Sequence, residues 1–269
     1  MDTTSEKPDG KVAIVTGGGR GMGAAMARGL ARAGYRVVAT AARERTEVEA
    51  VAAETGGQVL PLVADVTREQ DCARVVETAL ARFGSVDILI NNAGRGMKYV
   101  SERFMTEPTR FWETDPNAWR LVIDTNVTGA FLMARAAVVP MLRGRWGRII
   151  NVSMSYDTMR RAGFSPYGPS KAAVESETTI WAQDLAGTGV TVNALLPGGA
   201  TRTGMIPASF PDSMRASLLD PAIMIPPLLW LVSSTSDGVT GKRLIATEWE
   251  VNRGAATETA LHDAGWPAR

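Results

Sequence analysis

Thr16-Gly17-Gly18-Gly19-Arg20-Gly21-Met22-Gly23 separates a short apolar run, Val12 to Thr16, from a segment rich in Ala, Leu, Met and Arg, Met22 to Ala33. The run reads as a strand and the segment as a helix that ends near Gly34. Between them Gly19, Gly21 and Ala24 satisfy the spacing G-x-G-x-x-G/A. Glycines are needed there because the chain turns tightly and its backbone must come close to a pyrophosphate. The helix that follows offers its unpaired N–H groups to the anion. With a strand before and a helix after, the stretch reads as a dinucleotide cradle rather than an ordinary turn. Gly17, Gly19, Arg20, Gly21, Met22 and Gly23 are its expected binding residues.

Working outward, strands and helices alternate. Arg36 to Thr40, Val59 to Val63, Val86 to Ile90, Arg148 to Val152, Val190 to Leu195 and Arg243 to Ala246 read as further strands. Val48 to Glu54, Glu69 to Phe83, Trp119 to Met141 and Pro169 to Ala186 read as helices between them. Strict alternation implies right-handed crossovers and a parallel sheet. Continuously apolar strands imply burial on both faces. The expected fold is α/β: a single Rossmann-type doubly wound domain over residues 11–250, with a seven-stranded, mostly parallel sheet and helices on both faces. Residues 1–10 are polar and expected to be disordered, and residues 251–269 form a C-terminal tail. In such a sheet ligands bind beyond the carboxyl ends of the strands.

The end of the second strand bears on cofactor type. A site for NAD(H) usually carries a carboxylate there for the ribose hydroxyls. Here the stretch is Ala39-Thr40-Ala41-Ala42-Arg43. An arginine suits a 2′-phosphate through charge-assisted bonds, and Arg20 can reach the same group. NADP(H) is therefore favoured, with NAD(H) second.

Tyr167-Gly-Pro-Ser-Lys171 puts a phenol and an ammonium on one helix face, one turn apart. Pro169 is tolerated in a first helical turn. A phenol with a pKa near 10 exchanges protons poorly at neutral pH, and a close cation favours the phenolate. Lowering that pKa by about three units takes roughly 4 kcal/mol. Tyr167 is thus the candidate acid/base and Lys171 its electrostatic partner. Tyr156-x-x-x-Arg160 copies the spacing, but an arginine cannot exchange a proton near neutrality.

Taken together, Thr16-Gly17-x-x-x-Gly21-x-Gly23, Asp65-Val66, Asn91-Asn92-Ala93-Gly94, Asn126, Tyr167-x-x-x-Lys171 and Pro197-Gly198 occur in order from about Lys11 to Ala246. This pattern resembles the classical short-chain dehydrogenases/reductases. The resemblance implies hydride transfer between a nicotinamide dinucleotide and a carbonyl or alcohol carbon. It implies that Asp65 and Val66 hold the adenine, and that Asn91, Asn92, Ala93 and Gly94 support the adenosine ribose and central sheet. It implies that Asn126 holds a relay water, that Lys171 also binds the nicotinamide ribose, and that Pro197, Gly198 and Thr203 flank the carboxamide.

One position departs from that pattern. The family's substrate-polarising serine stands thirteen residues before the tyrosine, where this chain has Met154, flanked by Ser153 and Ser155. Developing charge on the substrate oxygen needs a donor that methionine lacks. Ser155 is the expected donor and Ser153 the alternative. A dinucleotide sensor without chemistry is the reading from another class.

Two long stretches, about 95–118 and 200–227, carry Met97, Phe104, Met205, Phe210, Met214 and Met224 and predict a largely apolar carbonyl or alcohol pocket. The net charge of +1 argues against nucleic acid and anionic membranes. No charge-free window of 18 apolar residues exists, so no span is expected. One cysteine, Cys72, and no leader-like segment favour the cytoplasm. No metal site is read, His262 reads as incidental, and a homodimer or homotetramer is expected by analogy.

Overall fold

Strand β1, Val12–Val15, lies inside the sheet, and its side chains show why. Ala13 and Val15 point into one apolar cluster, and Val12 and Ile14 into another on the opposite face. A strand that feeds two cores needs helices on both sides, and the chain supplies them. The computed structural model describes residues 10–249 and 261–266. The expectation of disorder at residues 1–9 lies outside the described residues.

From the N-terminal end run α1 (Gly21–Arg32), β2 (Arg36–Ala41), α2 (Arg45–Ala53), β3 (Val59–Val63), α3 (Glu69–Phe83) and β4 (Ile88–Asn91). Next come α4 (Pro116–Ile123), a π-helical segment (Asp124–Thr128), α5 (Gly129–Gly144) and β5 (Gly147–Val152). The chain continues through α6 (Tyr156–Met159), α7 (Tyr167–Asp184), β6 (Val190–Leu196), α8 (Asp212–Arg215), α9 (Ile225–Leu231), β7 (Lys242–Ile245) and β8 (Leu261–Asp263). The sheet order is β3-β2-β1-β4-β5-β6-β7-β8. Strand order reverses between β1 and β4, the switch point where a crevice opens at the carboxyl edge.

Among the described residues the sheet has eight strands, not the expected seven. β8 is three residues long and carries one apolar side chain, so it has no periodicity to read. It is placed by its antiparallel ladder to β7, Arg243 opposite His262, and by an ion pair from Lys242 to Asp263.

Pro116–Gly144 is a helical run long and apolar enough to cross a membrane. Met133, Ala137 and Met141 on its inner face are instead buried with residues of α3, β4 and β5. The long loops divide between two roles. Met97 and Phe104 form a small cluster with Phe164, against which Met154 and Tyr167 pack. Met224, expected at the pocket, is buried in the core beside Leu228, and the neighbouring Ile225 fills the space over Gly29 of α1.

Candidate active site

The glycine turn joins β1 to α1, whose N-cap, Arg20, makes no capping bond from its side chain. The first-turn N–H groups therefore remain available to an anion. Two glycines are required by geometry. Gly17 has φ +62°, and a Cβ there would stand 3.0 Å from the Ala93 backbone. A Cβ on Gly23 would stand 2.1 Å from the Gly17 carbonyl oxygen and 2.5 Å from Asn92 Nδ2. The turn is tied to the end of β4. Asn92 Nδ2 donates to Thr16 O (2.8 Å) and Gly17 O (3.1 Å), and Thr16 Oγ1 accepts from the N–H groups of Asn92 and Ala93.

A cleft of about 380 Å³ opens over this turn. Gly17, Gly19, Arg20, Gly21, Met22 and Gly23 line it, with Arg43, Asp65, Val66, Asn92, Ala93, Gly94, Tyr167, Lys171 and Thr203. Asp65 is oriented by an Asx turn, its Oδ1 accepting from Thr67 N and Oγ1. An elongated wall of backbone N–H groups, close-packed glycines and flanking arginines fits a dinucleotide. Asn91 lies beneath, its Nδ2 donating to Asn151 Oδ1 at 2.9 Å within the central sheet.

Four expected residues stand elsewhere. Pro197 and Gly198 are absent from the cleft wall, because the turn after β6 closes on Thr247. Asn126 also lies behind the wall. Its side chain clamps both backbone groups of Arg95, at 2.7 and 3.0 Å, and donates to Ser170 Oγ at 2.9 Å. Ser170 in turn donates to Tyr167 O, so Asn126 fixes the first turn of α7. The fourth is Ser155. It is the N-cap residue of α6, shares a hydrogen bond with Thr158 at 2.9 Å, and does not reach the cleft. Ser153, at the end of β5, does reach it. The expectation of Ser155 is corrected accordingly: the Ser153 N–H still donates to Leu195 O in the sheet ladder, which carries its side chain to the cleft, whereas the chain has turned into α6 by residue 155. Tyr156 also lies outside the wall.

Sequence reasoning missed several wall residues. Glu44 and Glu47 follow Arg43, and Glu47 Oε1 pairs with Arg20 Nη1 at 3.4 Å. Their place just past the expected ribose carboxylate position was the available signal. Arg95 and Tyr99 enter from the first long loop and Met205 from the second.

The electrostatics differ from expectation at the dyad. Burial pushes the Tyr167 phenol up to about 12, rather than a cation drawing it down. The Lys171 ammonium donates to Val152 O at 2.7 Å. Burial lowers Lys171 to about 8, opposed by the charges of Glu175 and Glu177. The protonated phenol is the form a carbonyl reduction requires. Lys171 is poised to change charge just above neutrality.

Glu177 responds in the opposite sense. Burial raises it to about 7, against the pull of Lys171, and its Oε2 has no hydrogen-bond partner among the described residues. A carboxyl whose pKa is raised on folding contributes stability below its unfolded value of 4.5, and that contribution is lost as pH rises through about 7. Glu177→Gln is therefore expected to stabilise the fold by about 1–2 kcal/mol at pH 8, after discounting for its partial exposure, and by little at pH 4. Urea midpoints at the two pH values check this. A gain confined to pH 4 contradicts it.

Comparison with known proteins agrees with this geometry. The profile described as short chain dehydrogenase matches residues 11–213. The chain belongs to that family, and is an oxidoreductase acting on carbonyl or hydroxyl groups with a nicotinamide dinucleotide. A 3-oxoacyl-[acyl-carrier-protein] reductase of Synechocystis sp. is 37% identical over 191 residues, 70% of this chain and 73% of that one. The D-beta-hydroxybutyrate dehydrogenase of Rhizobium meliloti is 31% identical over 267 residues, 96% of this chain and 99% of its own. Among solved structures, a 3-ketoacyl-(acyl-carrier-protein) reductase from Brucella melitensis complexed with NADH superposes with a TM-score of 0.78. It is 32% identical and covers 88% of this chain and 96% of its own.

Proposed function

We propose that this chain reduces a ketone, or oxidises the matching secondary alcohol, with NADP(H), and that Tyr167 passes the proton on oxygen. The observation that carries the proposal is the convergence of Tyr167, Lys171 and Ser153 on the cleft above the glycine turn. A bound dinucleotide supplies or removes the hydride. Ser153 donates to the substrate oxygen as charge develops, and Tyr167 delivers its proton to that oxygen. Lys171 holds the ribose and stabilises the phenolate left behind. Behind the cleft the Tyr167 ring packs against the buried Met97, Phe104 and Phe164. The 3-oxoacyl and hydroxybutyrate relatives support an acyl or alkyl ketone as the substrate.

Arg43 and Arg20 at the cleft mouth support NADP(H), with no carboxylate on β2 itself. NAD(H) is the second reading, favoured by Glu47, which already engages Arg20. Arg43→Ala is expected to raise the Kd for NADPH roughly tenfold and leave NADH within about twofold, as for one charge-assisted bond to a phosphate. Equal losses for both would sink the assignment. The wider test is oxidation of NADPH and NADH against ketones, aldehydes, quinones and 3-oxoacyl thioesters. No turnover with any of them would favour a sensor instead.

Phe131, Val139 and Leu142 of α5 and Ile180 of α7 are exposed. This apolar surface supports a homodimer or homotetramer, which light scattering resolves. A single buried cysteine suits a reducing compartment, and the cytoplasm is the proposed location.

A further inference from the structure

Ser153 leans on a buried ion pair. Its hydroxyl lies 2.5 Å from Glu175 Oε1, and Arg243 Nε lies 3.2 Å from the same oxygen. Glu175 is 2% exposed and Arg243 3%. Gly265, on the segment following β8, donates its N–H to Glu175 Oε2 at 3.3 Å. Arg243 Nη2 donates to the carbonyl of Met154 at 2.8 Å, and its guanidinium lies 3.8 Å over the Tyr156 ring. The Tyr156 hydroxyl donates to Gly265 O, and its ring stacks on Trp266.

We propose that Glu175, with Arg243 as counter-ion, is a positioning residue for Ser153, and that the C-terminal strand β8 and Gly265 complete this support. The inference rests on Ser153 acting at the reacting oxygen. An ionised carboxylate only accepts, so the single hydroxyl proton of Ser153 lies toward Glu175. That contact selects one rotamer of a serine that would otherwise have three. To donate to a substrate oxygen, Ser153 must turn its proton away from the carboxylate. A buried carboxylate with no other partner would resist this strongly. Arg243 and the Gly265 N–H keep Glu175 paired throughout, so the exchange is between two comparable acceptors. Arg243 also holds the Met154 carbonyl, which fixes the backbone beside the serine.

Two variants differ only in the acceptor offered to Ser153. Glu175→Leu with Arg243→Met replaces the pair by apolar groups of similar size, a change buried ion pairs commonly tolerate. Glu175→Gln with Arg243→Met keeps an amide oxygen that accepts from the serine. With acetoacetyl-CoA and NADPH, the Leu variant is expected to lose about tenfold in kcat/KM, and the Gln variant to recover several-fold of it. NADPH affinity, from nicotinamide fluorescence, should stay within about twofold for both, and melting temperatures report folding. In a Ser153→Ala background the Leu and Gln variants should become equal. A persisting difference there, or unchanged kcat/KM in the Leu variant beside a weakened Ser153→Ala, would overturn the positioning role while leaving Ser153 in place. Full activity of Ser153→Ala overturns the role of the serine itself and this proposal with it.

Discussion

Tyr167→Phe is expected to lower kcat by roughly 10²–10⁴ while NADPH affinity stays within about twofold. The substitution removes one oxygen and keeps the ring that packs against Met97, Phe104 and Phe164. The proposed dinucleotide cradle is the glycine turn with Arg20 and Arg43, which the substitution does not touch. The phenol is buried and protonated across the physiological range, so its loss removes the proton donor without unpairing a charge. Stopped-flow oxidation of NADPH with a ketone, beside a fluorescence titration of the cofactor, separates the two effects. Retained turnover would mean that another group moves the proton, and the mechanism would fall.

Gly23→Ala is expected to weaken NADPH binding by more than about a hundredfold, near 3 kcal/mol, and to lower the melting temperature. The added methyl would meet the Gly17 carbonyl oxygen at 2.1 Å and Asn92 Nδ2 at 2.5 Å. Neither can retreat easily. The first is backbone, and the second is pinned between the carbonyls of Thr16 and Gly17. The turn must open, and with it the N–H groups that face the cleft. This separates the cradle as a whole from Arg43, whose loss touches only discrimination between the two dinucleotides. Normal NADPH affinity in Gly23→Ala would show that the anion is held elsewhere.

Most of the fold was legible because both faces of the sheet are buried. The run Val12–Val15, apolar and buried at every position, declares itself without reference to partners. β8 did not, because a three-residue edge strand is defined by its ladder rather than its composition. At the site, motif spacing located Tyr167, Lys171 and the glycine turn, since each depends on local geometry. The choice between Ser153 and Ser155 was not local. It is set by where the ladder to β6 stops: the Ser153 N–H still bonds Leu195 O, 42 residues on, whereas Ser155 already caps α6, and no nearby pattern reports on that. The dyad pKa failed for a related reason. Proximity in sequence aligned Lys171 with Tyr167, but the ammonium spends its bond on Val152.

β8 also occupies the rim of β7. The outer hydrogen-bonding groups of β7 are already taken, by a strand from the same chain running in the opposite direction. A sheet shared across two copies through the rim of β7 would first have to peel β8 away, and with it the Gly265 contact to Glu175. Assembly across that rim and an intact support for Ser153 are mutually exclusive.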